Sequence, residues 1–297
     1  MTLQKSATVV ASIIAAILVV IKLIVGILSG SAAVLASAID SILDIAVSMF
    51  NYFALSKAEK APSEKFNYGL GKIEALAAVI EGTIITISGL FIFYKGLTNI
   101  IQERQIHHLD SSILVMIVSI LLTGGLVIFL NRVYEKTKNM VVKSDALHYK
   151  TDLYSNSAVL LSLALIYLTG WHWIDGVFGI SIAIYIIKEA YELIKEGTLI
   201  LLDVALDEKI VEEVKKVISS HPEVTGFHYL KTRRSGDTNF VDVHVVFTPE
   251  ISLIDAHRVS DSIEEEIKKL DPNSKWHITI HLDPYDDSPH GEPDQNS

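Results

Sequence analysis

The sequence predicts an α-helical membrane protein with six transmembrane helices and a small C-terminal α+β domain. Three observations carry this reading. Of 297 residues, 50% are hydrophobic and only 20% charged, against about 25% charged in ordinary soluble domains, and the mean hydropathy is +0.39. The net charge of -10 is segregated: residues 1–203 hold 15 Lys and Arg against 16 Asp and Glu, while residues 204–297 hold 10 against 19. Six long apolar stretches fill the first 200 residues, and the pattern after them is that of a water-exposed domain. A disordered chain is excluded, because there is ample apolar surface to bury. Cysteine is absent, which removes disulfides, thiolate metal sites and a Cys nucleophile. An acidic C-terminal domain repels phosphate and so argues against nucleic acid; cations are its natural partners.

The six stretches cover about 7–28, 32–56, 73–97, 112–131, 145–169 and 174–196. Each is long enough to cross roughly 30 Å of hydrocarbon as a helix, at about 20 residues per span. The first two are joined tightly through Leu28-Ser29-Gly30-Ser31 and form a hairpin. Lys and Arg set the orientation, since short cytoplasmic loops are enriched in them. Lys57, Lys60, Lys65 and Lys72 lie in the second loop, and Arg132, Lys136, Lys138 and Lys143 in the fourth. Lys95 and Arg104 alone flank the third loop. The even loops, both termini and residues 204–297 are therefore expected in the cytoplasm, with Trp171 and Trp173 at the outer interface, a usual place for indole.

The last third changes period. Residues 207–220 and 254–270 have helical spacing, and residues 227–232, 239–248 and 276–282 read as strands, Phe240 to Phe247 alternating most clearly. The order α-β-β-α-β predicts a small α+β sandwich. The expected division is a membrane domain over 1–203, a cytoplasmic domain over 204–284, and an acidic, disordered tail over 285–297.

Within the apolar stretches, charges are the informative residues, because each central Asp costs about 2.5–3.5 kcal/mol on insertion scales. Asp40 and Asp44 sit in the middle of the second stretch, and His148 and Asp152 open the fifth. Both pairs have i,i+4 spacing, which places each pair on one helix face. Two helices presenting two ligands each can build one four-coordinate site. Three carboxylates and one imidazole suit a borderline divalent ion such as zinc, with cadmium, iron or cobalt acceptable. Without metal, three carboxylates in a low-dielectric site are expected to bind protons, a physical basis for exchange. Asp145 reads as a helix-end residue, Glu81 as a polar contact near the cytoplasmic side, and Lys22 as a side chain that snorkels outward.

At these residues the chain resembles the cation diffusion facilitator family, and its bacterial zinc and iron efflux members. The resemblance rests on the Ser-Gly-Ser turn at 29–31 with Ala36-Ser37-Ala38-Ile39-Asp40-Ser41-Ile42-Leu43-Asp44, on Gly71-Lys72-Ile73-Glu74-Ala75-Leu76, and on His148-Tyr149-Lys150-Thr151-Asp152. Gly170-Trp171-His172-Trp173-Ile174-Asp175 and Leu201-Leu202-Asp203 extend it over nearly the whole chain. It implies a homodimeric metal/proton antiporter, not an enzyme, in the cell's inner membrane. It also implies a metallochaperone-like cytoplasmic domain with a binuclear metal site, whose residues here match as His228, His244, His257, His281 and Asp283. Seven of the 11 His fall in residues 221–297, and Asp283 can bridge two ions with imidazoles completing their shells. The zinc members also hold a metal in the second loop. Here Phe66 and Leu70 stand where those members place His, so no metal is expected there.

A membrane metal sensor without transport is the alternative function; it would not need the intramembrane ligands. An intramembrane metal enzyme ranks lower, because the His-Glu-x-x-His and Gly-x-Ser-x-Gly patterns are absent from the sequence.

Overall fold

A computed structural model describes residues 2–29, 32–102, 110–171, 173–272 and 274–286. The chain divides into two compact units, 1–198 and 199–297. The expected tail therefore falls largely outside the described residues, as do His107, His108, His172 and His290.

The first unit is built from six helices: α1 (Leu3–Ser29), α2 (Ala32–Ala58), α3 (Ile73–Gln102), α4 (Asp110–Thr137), α5 (Met140–Thr169) and α6 (Trp173–Leu201). At 27 to 30 residues each measures about 40–45 Å, given 1.5 Å per residue. Three pass as membrane-crossing on length and composition: α1 over 3–25, α3 over 73–100 and α4 over 116–137. The others match them in length; α5 carries Lys143, Asp145, Lys150 and Asp152, and α6 carries Lys188, Glu189, Glu192, Lys195 and Glu196 towards its end.

Small residues let these helices approach. Ala7 and Ala11 on α1 are fully buried against Leu126 and Leu130 of α4 and Val142, Ala146 and Tyr149 of α5. The opposite face of α1 exposes Ile13, Ile17, Val20, Ile24 and Ile27. A continuous exposed apolar face of this kind is what lipid requires and water penalises. α3 and α6 touch backbone to backbone: a Cβ on Gly96 would lie 2.8 Å from the Gly176 carbonyl oxygen, and one on Gly176 would lie 2.5 Å from that of Gly96. Only glycine fits at either position. Lys143 pairs with Glu196, and Lys150 lies 3.5 Å from Glu189, tying α5 to α6. α5 starts sharply because the Asn139 side chain accepts hydrogen bonds from the Val141 and Val142 amides, which satisfies two of the free N–H groups of its first turn.

The second unit contains α7 (Glu208–Ser219), β1 (Val224–Ser235), β2 (Thr238–Phe247), α8 (Leu253–Leu270) and β3 (Lys275–Asp283). The sheet order is β1-β2-β3, with β1 and β2 antiparallel and β2 and β3 parallel. Parallel pairing needs a crossover, and α8 supplies it. Val241, Val243, Val245 and Phe247 of β2 pack with Val214 and Ile218 of α7 and Ala256, Ile263 and Ile267 of α8. The other face of β2 carries Phe240, Asp242, His244 and Val246, as strand alternation dictates. β1 is longer than its hydrophobic pattern, because pairing with β2 rather than burial sets its ends. It breaks register between His228 and Lys231, where Tyr229 has φ of 52°. This left-handed residue marks a bulge that re-aims the neighbouring side chains.

Candidate metal sites

In the first unit, α2 and α5 bring three of the four expected ligands together. His148 Nε2 lies 3.1 Å from Asp44 Oδ1 and 4.0 Å from Asp152 Oδ2. One ligand atom from each of Asp44, His148 and Asp152 lies within 4.8 Å of the others. Zinc bonds of about 2.1 Å in a tetrahedral shell hold donor atoms about 3.4 Å apart, so a small closure brings this set onto one ion. Asp40 lies on α2 one turn before Asp44, and its side chain is outside the described residues.

The cluster lines a cavity of about 220 Å³. Around it stand Ser41, Ser88, Ser119, Thr123, Thr151, Ser155 and Asn156, a wall of hydroxyls and one amide set among Leu18, Ile85 and Ile92. Such a lining can hydrate a moving ion without binding it tightly. Lys22 belongs to this wall. It is 7% exposed and donates to Ser41 Oγ at 2.7 Å, so the expectation of an outward-snorkelling Lys22 is corrected. A lysine near the middle of a long helix can reach either interface or turn inward, and here a buried hydroxyl holds it inside.

In the second unit, strand register builds the other cluster. His228 pairs opposite His244 across β1 and β2, and His244 opposite His281 across β2 and β3. Directly opposed residues project on the same face about 4.5–5.5 Å apart. The rings obey this, with centroids 5.1 Å apart for His228 and His244 and 4.5 Å for His244 and His281. Asp283, two residues beyond His281, lies on that face and is buried. Its Oδ2 is 2.9 Å from His244 Nδ1 and 3.4 Å from His228 Nε2, while its Oδ1 is 3.0 Å from His281 Nε2. One carboxylate thus faces imidazoles with both oxygens, the donor arrangement of a bridge between two ions. Asp286 approaches His228 Nδ1 at 3.3 Å. His257 is not part of that close group; it is exposed on α8, with Asp261 one turn away at 3.7 Å.

Residues 8–202 match the cation efflux transmembrane domain, and residues 206–285 match the cation efflux protein cytoplasmic domain. The chain belongs to the cation efflux, or cation diffusion facilitator, family. It is similar to the cation-efflux pump FieF of Escherichia fergusonii, 35% identical over 246 residues that cover 83% of this chain and 81% of that one. FieF of Escherichia coli O139:H28 is 34% identical over the same lengths. A solved chain of CzrB in a zinc form is 29% identical, covers 28% of this chain and 92% of its own, and has a TM-score of 0.24. The protein is accordingly a membrane cation efflux transporter, of a family that moves divalent metal cations.

This efflux protein also carries a polar cluster that the sequence reading missed. Asn51 on α2 donates from Nδ2 to Glu81 Oε2 on α3 at 3.0 Å and to Asp145 Oδ1 on α5 at 3.1 Å. Asp145 is fully buried inside α5, which corrects its reading as a helix-end residue. Nearby, the buried Tyr149 hydroxyl lies 2.9 Å from Ser48 Oγ. Spacing held a signal for the cluster. Asn51 follows Asp44 by seven residues and Asp145 precedes Asp152 by seven, two turns along the same two helix faces.

Proposed function

We propose that this transporter exports zinc from the cytoplasm in exchange for protons, by alternating access, as a homodimer in the inner membrane. All six helices of the first unit span the bilayer, with both termini cytoplasmic. Asp40, Asp44, His148 and Asp152 hold the moving ion; cadmium, iron and cobalt are acceptable substitutes on the same donor chemistry. The observation that carries the reading is the convergence of Asp44, His148 and Asp152 on a hydroxyl-lined cavity between apolar helices. Carboxylates placed there are costly unless they bind something. A positive ion offsets their mutual repulsion, and protons do the same when the ion leaves.

His228, His244, His281 and Asp283 form the cytoplasmic site, a resident zinc site outside the crossing path. His257 is its outer member, where His257 and Asp261 repeat on α8 the His-x-x-x-Asp spacing of α5. Zinc there neutralises part of the acidic charge of residues 204–297 and favours association of two such domains. The second loop binds no metal, because Phe66 and Leu70 offer no lone pair.

The test is zinc flux in proteoliposomes of the full chain under an imposed proton gradient. The proposal requires zinc to move against its own gradient and to stop when a protonophore is added. Zinc binding without flux would favour the sensor reading. Because the chain has no cysteine, single cysteines at Ser63 and Ser111 test orientation by one-sided labelling. Ser63 must react only from the cytoplasmic side and Ser111 only from the other.

A further inference from the structure

Asn51, Glu81 and Asp145 are 0%, 1% and 0% exposed. The single Asn51 amide nitrogen serves both carboxylates, so the two acids are neighbours. Their remaining oxygens, Glu81 Oε1 and Asp145 Oδ2, and Asn51 Oδ1 itself have no hydrogen-bond partner among the described residues. Ser144 also lies within reach of Glu81, but its one hydrogen is shared with the Val141 carbonyl at 2.9 Å. The cluster is therefore short of donors: one amide and one shared hydroxyl face two buried acids. Two ionised carboxylates in such a place lose hydration and repel each other, and one neutral amide does not offset that. A proton on one acid removes the repulsion and turns an orphaned acceptor into a donor. Carboxylate pairs at close range share a proton for this reason.

Among the described residues, no lysine or arginine is among the groups acting on Glu81 or Asp145. The titratable groups acting on the pair are His148, one turn along α5, and the Tyr149 phenol, which acts on Asp145; from α2, Ser48 bonds Tyr149 and Asp44 engages His148 rather than the pair.

We propose that Glu81 and Asp145, held across Asn51, form a proton-binding site separate from the metal ligands, and that its proton adds to those the ligands exchange for metal. The second half rests on the antiport reading above. Position supports the assignment. The cluster lies towards the ends of α2, α3 and α5 that border the Lys-rich second and fourth loops. The cavity at Asp44 and His148 runs the other way, past Ile92, Thr123 and Asn156. In this conformation the pair is sealed from both sides. Opening the cytoplasmic side would hydrate it and let the O–H proton pass to water as the carboxylate ionises. A divalent ion arriving at Asp44 and His148 then favours that ionised form.

Infrared spectroscopy of the full chain in lipid tests the proton site directly. Near neutral pH the wild type should show the carbonyl stretch of protonated carboxylic acids, and E81Q and D145N should each weaken it. No such band in the wild type, or an unchanged band in both variants, overturns the site. Gln and Asn keep the size of the acids, and if one variant fails to assemble the other carries the same reading. Coupling is read from protons moved per zinc in proteoliposomes. E81Q should lower that ratio while the membrane cluster keeps its zinc affinity within about threefold, since the pair is outside the ligand shell. An unchanged ratio overturns the coupling. Zinc flux with no proton counterflow in the wild type overturns the antiport reading, and the infrared band then still decides the proton site.

Discussion

The two candidate metal clusters use the same donors, carboxylate and imidazole, and are built by opposite means. In the membrane unit, helix periodicity puts ligands on separate helices around a cavity, and Asp152 keeps 38% of its side-chain surface open to it. In the cytoplasmic unit, hydrogen-bonded register fixes three imidazoles in a row, and Asp283 is enclosed by them at 9%. Helices can rock relative to one another at small cost, whereas adjacent strands cannot slide without breaking a ladder. The first construction suits an ion that must be released, and the second an ion that stays.

The comparison can be broken at its strongest point, the ligands themselves. Mutation of groups that merely orient ligands typically costs about 10–100-fold in metal affinity, so Asp152→Ala, which deletes a direct ligand, should lose at least about a hundredfold. Competition titration with a zinc chelator measures it, and a loss under tenfold would remove Asp152 from the site.

Next in size is the resident ion. Zinc at a hundred times its dissociation constant should stabilise the folded chain by about 2.7 kcal/mol. In the full chain carrying Asp44→Ala, so that the membrane cluster contributes nothing, thermal unfolding should show that gain, and adding Asp283→Ala should remove it. A gain that survives in Asp283→Ala would mean that the three-strand row does not hold the ion.

Selectivity sharpens the difference further. His148→Asp replaces the only imidazole of the membrane set with an oxygen donor and should shift preference from zinc towards manganese by about tenfold, worth about 1.4 kcal/mol. An identical metal profile would place selectivity outside the ligands. The smallest effect is expected at His257, where an exposed side chain rarely changes stability by more than about 0.5 kcal/mol. His257→Ala should leave the zinc-dependent gain in Tm nearly intact and lower the zinc content by no more than one ion per chain, read by elemental analysis.

The two clusters also differ in how far the sequence revealed them. Asp44, His148 and Asp152 were legible because a charge in an apolar helix stands out and i,i+4 spacing names its face. His228, His244, His281 and Asp283 were grouped through the family resemblance alone. Periodicity does not align them, because register belongs to pairing between strands, which sets His228 opposite His244 and His244 opposite His281. Asn51, Glu81 and Asp145 come from three helices, so no single helix displays their contact. Lys22 misled because a long flexible cation gives no direction of its own. The six helices were placed well, but their ends run beyond the apolar stretches, since backbone hydrogen bonding continues into the interfacial residues.

The central claim is that the membrane cluster moves metal and the cytoplasmic cluster does not. Proton-driven zinc flux, measured side by side in proteoliposomes of the wild type, Asp44→Ala and Asp283→Ala, tests it most directly. The account predicts that Asp44→Ala abolishes flux while Asp283→Ala, once folded and inserted, retains it within about threefold, as expected of sites with no shared partner. Wild-type flux in Asp44→Ala would contradict it.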